Sequence, residues 1–199
     1  MTFTIEKIIN AFSQMSSWEL LAVAFGIAYV ILATKESLWT WLFAFLGTLI
    51  YTILFWEGAL VSSSLLNFYY MIMAIYGFIL WRGGKDEKEL EVSSYKLHNH
   101  IEIITTGVFL SLVIGYLSDT YTQAHFAYLD SSVLIFSVIA TWMLANKILE
   151  NWLYWIVIDA VAIFLYFKSE YYATVVLFIL YIILSFWGYY SWRKGLDAH

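Results

Sequence analysis

NWLYWIVIDAVAIFLYF, residues 151–167, decides the fold. The run holds one charged residue, Asp159, and neither proline nor glycine. Its apolar character is continuous rather than alternating. It therefore reads as a helix crossing hydrocarbon, not as a strand of a membrane barrel. A crossing takes roughly 20 mainly apolar residues over about 30 Å. Working outward, six further segments have the same character. The seven expected spans are 18–34, 38–56, 59–81, 101–118, 131–147, 152–167 and 171–192.

Composition agrees with that reading. Of the 199 residues 62% are hydrophobic, 21% aromatic and only 13% charged. Soluble domains are about half apolar and about a quarter charged, so a soluble globular enzyme is excluded. The absence of cysteine excludes disulfides, iron–sulfur clusters and thiol nucleophiles. The four histidines form no ligand pair on an apolar helix, so neither a metal nor any other cofactor is expected. A net charge of −5 argues against nucleic acid, which needs a basic stripe. The chain has no proline, so any bend must come from glycine or from interrupted packing.

The first residues, MTFTIEKIINAF, place apolar side chains at helical spacing around Glu6 and Lys7. They read as a surface helix over 1–16. No small-residue cleavage site follows them, which disfavours a signal peptide. Basic residues then orient the spans. Lys35, Arg82, Lys85, Lys88, Lys96, Lys147, Arg193 and Lys194 fall on one face, and Lys7 and Lys168 on the other. The positive-inside rule puts the C-terminus in the cytoplasm and the N-terminus outside. The polar stretch 82–100 reads as a solvated cytoplasmic connector, with a partner-docking role as the alternative.

The sequence also matches itself at an offset of 111. Tyr76, Gly77, Trp81 and Arg82 fall on Trp187, Gly188, Trp192 and Arg193, and the same shift puts Trp41 on Trp152, Tyr70 on Tyr181 and Glu57 on Lys168. Spans one to three and five to seven then form two units. Three spans end on the side opposite to their start, and span four brings the chain back. The expected fold class is an all-α membrane protein with seven transmembrane helices in a 3+1+3 parallel-repeat arrangement, with a site near mid-membrane between the units. The units are 17–82 and 130–194, and 83–118 holds the connector and the linking helix.

Polar groups inside the spans locate the candidate site. A charge at the centre of a membrane helix costs about 2.5–3.5 kcal/mol on insertion scales and usually marks a pathway or a partner. Asp159 is the charged residue at mid-depth, and Trp155 and Trp152 precede it by four and seven residues on one face. Tyr166 follows on nearly the same stripe. An acid below two indoles suits a flat organic cation, each cation–π contact contributing about 0.5–2 kcal/mol. The competing readings are an interhelical hydrogen bond for Asp159 and an interfacial belt for the tryptophans. Asn67, Tyr70, Gly77 and Trp81 share a face of span three, and Asn67 can both donate and accept. Thr48, the repeat equivalent of Asp159, is a cavity candidate. Asn146 reads as a helix-end polar group. Ser62, Ser63 and Ser64 read as close packing, as do Ala24 and Ala28. The alanine pair also resembles the face that S-components of ECF importers present to their partner.

Together the stretches WELLAVAFGIAYVILATKESLWTW, NFYYMIMAIYGFILW and NWLYWIVIDAVAIFLYF resemble the PnuC-type vitamin transporters. The most specific elements are W-x-x-W-x-x-x-[N/D]-x6-Y, here Trp152, Trp155, Asp159 and Tyr166, and [Q/N]-x-x-Y-x5-Y-G, here Asn67, Tyr70, Tyr76 and Gly77. The resemblance implies a SWEET-like seven-span core, a homotrimer and a bacterial inner-membrane location. It implies import of nicotinamide riboside or a related cationic vitamin by facilitated diffusion, with trapping by cytoplasmic phosphorylation. Thiamine and riboflavin carriers are the alternatives within such a family, and an ECF S-component is the alternative outside it. No G-x4-G-K-[S/T] loop is present, so ATP hydrolysis by this chain is not expected.

Overall fold

The computed structural model describes residues 5–58, 61–83, 90–122 and 126–197. Among them run eight α-helices: α1 (Ile5–Ser13), α2 (Ser17–Thr34), α3 (Trp39–Glu57), α4 (Val61–Arg82), α5 (Leu97–Tyr121), α6 (Ala127–Ala145), α7 (Asn151–Lys168) and α8 (Tyr172–Leu196). The seven from α2 to α8 are long and apolar enough to cross a bilayer. In such a setting the helix satisfies its own backbone, which explains why so apolar a chain is helical almost throughout. The short α1 packs against α8, with the Lys7 ammonium 5.3 Å from the centre of the Tyr172 ring. Lys85, Lys88 and Ala59 lie outside the described residues, as does the side chain of Ser62.

Local chemistry sets the helix ends. The Ser16 hydroxyl accepts from the Glu19 N–H at 3.2 Å, and the Glu19 carboxylate accepts from the Ser16 N–H at 2.6 Å. This capping box starts α2. Two helices begin a turn earlier than hydropathy predicts. α5 begins at Leu97 rather than at 101, and α6 at Ala127 rather than at 131. Their extra turns carry polar residues, which a search for apolar runs passes over.

The spanning helices close into a ring. α3 packs between α2 and α4, α7 between α6 and α8, and the ring is completed by α2 against α8 and α4 against α6. α5 stands outside it, packed on α6. Gly107 and Gly115 allow that approach, because a Cβ there would lie 2.7 Å from Phe136 and 2.5 Å from Tyr128. Ser64 ties α4 to α3, its hydroxyl donating to the Thr52 carbonyl at 2.8 Å.

Positions 111 apart recur in equivalent surroundings. Trp41 lies on Gly77, where an added Cβ would come within 2.3 Å of the indole. Trp152 lies on Gly188 in the same way, at 2.5 Å. Trp41 meets Trp81 edge-on at 5.1 Å between ring centres, and Trp152 meets Trp192 edge-on at 5.4 Å. The glycine and the tryptophan four residues after it thus form one seat, its floor and its wall, for an indole from the preceding helix. Two turns repeat as well. Glu36 and Lys147, which follow α2 and α6, both have left-handed backbones, with φ of 52° and 50°. Between the connector and the turn that joins α6 to α7, Ser93 bridges Ile148, and the Glu150 carboxylate accepts from the Ser94 hydroxyl and from the Tyr95 N–H at 3.1 Å. Burial, and after it the Glu150 charge, pushes the Tyr95 phenol above its ordinary pKa.

Overpacking a close contact costs about 1–3 kcal/mol. Gly77→Ala and Gly188→Ala are each expected to lower the thermal midpoint in detergent by several degrees. Gly47→Ala, where the new Cβ meets its nearest neighbour at 3.4 Å, should lower it less.

Candidate functional site

α7 carries four of the expected site residues, and the structure treats them differently. Trp152 is 2% exposed and belongs to the packed core with Trp41, Trp81 and Trp192. One face of its ring is covered by Gly188 and its edge by Trp192. Trp155 is half-buried and has no aromatic partner among the described residues. Tyr166 sits two turns beyond Asp159, against Phe178 at 5.2 Å and Tyr171 at 6.3 Å.

Asp159 is 2% exposed, flanked by the buried Ile158 and Ala162. It sits midway along α7. Among the described residues none donates a hydrogen bond to its carboxyl group. The charge of Asp159 acts on the phenols of both Tyr70 and Tyr181. Tyr29 is coupled to the same two phenols. Tyr70 on α4 and Tyr181 on α8 therefore lie within electrostatic reach of the carboxyl group.

The tyrosines come from equivalent places. Tyr70 on α4 hydrogen-bonds Ser137 on α6, and Tyr181 on α8 reaches Gly26 on α2. Gly26 and Ser137 are themselves 111 apart. Thus α4 sends a phenol across to α6, and α8 sends one across to α2. A Cβ at Gly26 would lie 2.6 Å from the Tyr181 hydroxyl, so glycine is what admits it. Sequence reading placed Tyr181 only as the repeat partner of Tyr70, and it did not single out Tyr29, Ser137 or Gly26. The offset of 111 was the signal that could have found Tyr181.

The remaining expected residues are satisfied locally or stand apart. The Thr48 hydroxyl donates to the Ala44 carbonyl at 2.7 Å within its own helix. The Asn67 amide donates to the Ser63 carbonyl at 2.9 Å, leaving its oxygen for another donor. Tyr76 is 38% exposed. Six residues after Tyr70, it stands about 120° round the helix from it, off the face of Asn67 and Tyr70. Asn146 donates to the Trp142 carbonyl at 2.8 Å, closing the end of α6.

Two cavities lie elsewhere. One of about 370 Å³ is lined by Ser16, Glu19, Tyr51, Leu54 and Phe55, at the end of the bundle where α2 begins. Tyr51 of its lining is within electrostatic reach of Tyr166 and Tyr181. The other, of about 440 Å³, is an apolar groove between α4, α5 and α6 that includes Tyr69, Glu102 and Trp142. Among the described residues no cluster of three histidine or acidic side chains could hold a metal ion.

Seven helices long and apolar enough to span a bilayer, six of them in a ring that encloses an acid and several phenols, define a multi-pass membrane protein with a polar site between its helices. The chain belongs to the nicotinamide mononucleotide transporter family, whose model matches residues 16–194. It is 23% identical over 197 residues to the nicotinamide riboside transporter PnuC of Escherichia coli (strain K12), covering 85% of this chain and 81% of that one. It is 24% identical over 186 residues to the riboflavin/roseoflavin transporter RibM of Streptomyces davaonensis, covering 91% and 87%. The crystal structure of the vitamin B3 transporter PnuC has the same fold, with a TM-score of 0.77 at 18% identity over 100% of this chain and 94% of that one.

The Gly26–Tyr181 contact gives a double-variant test. Gly26→Ala is expected to lower the thermal midpoint by several degrees, because the tyrosine hydroxyl must move. Adding Tyr181→Phe removes that hydroxyl and should recover most of the loss. Additive losses in the two variants would show that the residues do not meet.

Proposed function

We propose that this chain imports nicotinamide riboside, a pyridinium nucleoside with a permanent positive charge. The observation that carries the reading is Asp159, an enclosed carboxyl group without a hydrogen-bond donor among the described residues, halfway along a spanning helix. A cation there replaces the missing partner, and in a low dielectric that attraction far exceeds its value in water. The names of the relatives support the same vitamin class.

The roles follow from the chemistry of each group. The vitamin enters from outside past Glu19 and Tyr51. Its pyridinium ring lies on Trp155, whose ring has no aromatic partner among the described residues, with Trp152 forming the floor behind it. Asp159 balances the charge. Asn67, Tyr70, Tyr166 and Tyr181 bind the carboxamide and ribose hydroxyls, with Tyr76 and Thr48 completing the lining as the helices move. Two three-helix units, α2–α4 and α6–α8, rock about this site in a SWEET-like 3+1+3 parallel-repeat arrangement linked by α5. The contacts repeated at an offset of 111 support that plan. Transport is facilitated diffusion, and phosphorylation in the cytoplasm traps the product. The protein works as a homotrimer in the bacterial inner membrane, with its N-terminus outside and its C-terminus in the cytoplasm, as the Lys/Arg distribution supports.

Riboflavin is the second reading, favoured by the similarity to RibM. It is neutral, however, and leaves Asp159 unmatched. Thiamine is cationic and satisfies Asp159 as nicotinamide riboside does.

A thermal-shift panel with the three vitamins separates these readings. A ligand at 100 times its dissociation constant adds about 2.7 kcal/mol. Nicotinamide riboside is expected to stabilise the protein, and riboflavin to leave it unchanged. Asp159→Asn should weaken nicotinamide riboside by about 10- to 100-fold, the loss of a charged partner. It should leave a neutral isostere nearly unaffected, and equal losses for the two ligands would remove the charge-pairing role. Purified protein in liposomes, without an ATPase, should carry the vitamin until the two sides are equal, with or without a proton gradient. Failure to transport alone would favour an S-component.

A further inference from the structure

The bundle is open at one end and sealed at the other. The opening beside Glu19 and Tyr51 lies where α2 begins. At the opposite end, rich in lysine and arginine, four indoles converge, with Trp81 and Trp192 at 6.1 Å between ring centres. Leu90 and Val92 of the connector pack over them. The Trp81 N–H donates to the Ala145 carbonyl at 2.9 Å, and the Trp192 N–H donates to the Ala33 carbonyl at 3.0 Å. Each third helix is thereby tied to the end of the first helix of the other three-helix group. Both carbonyls belong to a last helical turn, and that of Ala33 also accepts from the Glu36 N–H at 3.0 Å.

A further pair completes the seal. The Lys147 ammonium lies 2.8 Å from the Glu36 carboxylate and 4.9 Å from the centre of the Trp81 ring. Glu36 and Lys147 are 111 residues apart, on matching left-handed turns. The offset therefore brings two equivalent positions face to face and gives them opposite charge. An ordinary loop ion pair has no such relation. Lys147 is 11% exposed at its side chain and Glu36 is 34% exposed, so water can take over each charge when the turns separate. The indole–carbonyl bonds and the ion pair lie at one level. Parting them moves the groups away from each other without breaking a helix.

We propose that Glu36, Lys147, Trp81 and Trp192 form the gate at the Lys/Arg-rich end, that the gate is shut in this structure, and that substrate leaves on that side only when the Glu36–Lys147 pair parts. The assignment rests on the transport function of the family and not on the identity of the vitamin.

The chain has no cysteine, which permits two tests on the full protein. In the first, Thr48→Cys is labelled by a membrane-impermeant maleimide supplied on the Lys/Arg-rich side of sealed vesicles. Glu36→Gln and Lys147→Met should each raise the labelling rate at least fivefold, and the exchanged pair E36K/K147E should return it toward the original value. Equal rates in all four proteins overturn the gate. In the second, Glu36→Cys and Lys147→Cys are joined by a bis-methanethiosulfonate linker. Uptake of nicotinamide riboside into liposomes should fall at least tenfold, its thermal stabilisation should persist, and reductant should restore uptake. Unchanged uptake with the linker in place also overturns the gate. Should the unaltered protein not carry nicotinamide riboside at all, the substrate reading fails, and the labelling rates still decide the gate.

Discussion

A carboxyl group enclosed halfway along a spanning helix, with no hydrogen-bond donor among the described residues, is the constraint around which this fold is arranged. Hydrocarbon offers it nothing, and a charge at that depth costs about 2.5–3.5 kcal/mol on insertion scales. α7 therefore cannot face lipid at Asp159, and it does not. It lies between α6 and α8, with Ile158 and Ala162 buried beside the acid. The phenols of Tyr70 and Tyr181 feel its charge without satisfying it as donors.

The frame that holds the acid is nearly symmetric, and the chemistry at its centre is not. Trp41 on Gly77 and Trp152 on Gly188 are the same joint built twice. So are the edge-on contacts to Trp81 and Trp192. The crossing phenols, Tyr70 to Ser137 and Tyr181 to Gly26, are another such pair. At the centre the equivalence ends. Thr48 stands where its counterpart is Asp159, and its hydroxyl is spent on the Ala44 carbonyl.

The spans were legible in the sequence because continuous apolar runs have a length that hydrocarbon dictates. The repeat was legible because glycine and tryptophan keep their spacing where an indole must lie against a backbone. Contacts between helices were less so. Periodicity put Trp152 and Trp155 on one face with Asp159, yet it could not say that Gly188 and Trp192 cover the first ring while the second stays without an aromatic partner. A motif placed Tyr76 with Tyr70, although the helical turn carries it off that face, where it is 38% exposed. Lys147 was a loop charge counted for orientation, and Glu36 was not singled out. Their meeting depends on how two distant turns approach, which no local pattern records.

The most direct measurement is the position of nicotinamide riboside in an experimental structure of its complex with this protein. The pyridinium ring is expected against Trp155, within about 6 Å of the ring centre, with the Asp159 carboxylate as its nearest anionic group. A ligand resolved instead in the groove beside Tyr69, Glu102 and Trp142, with Asp159 still unpartnered, would contradict the role assigned to the acid.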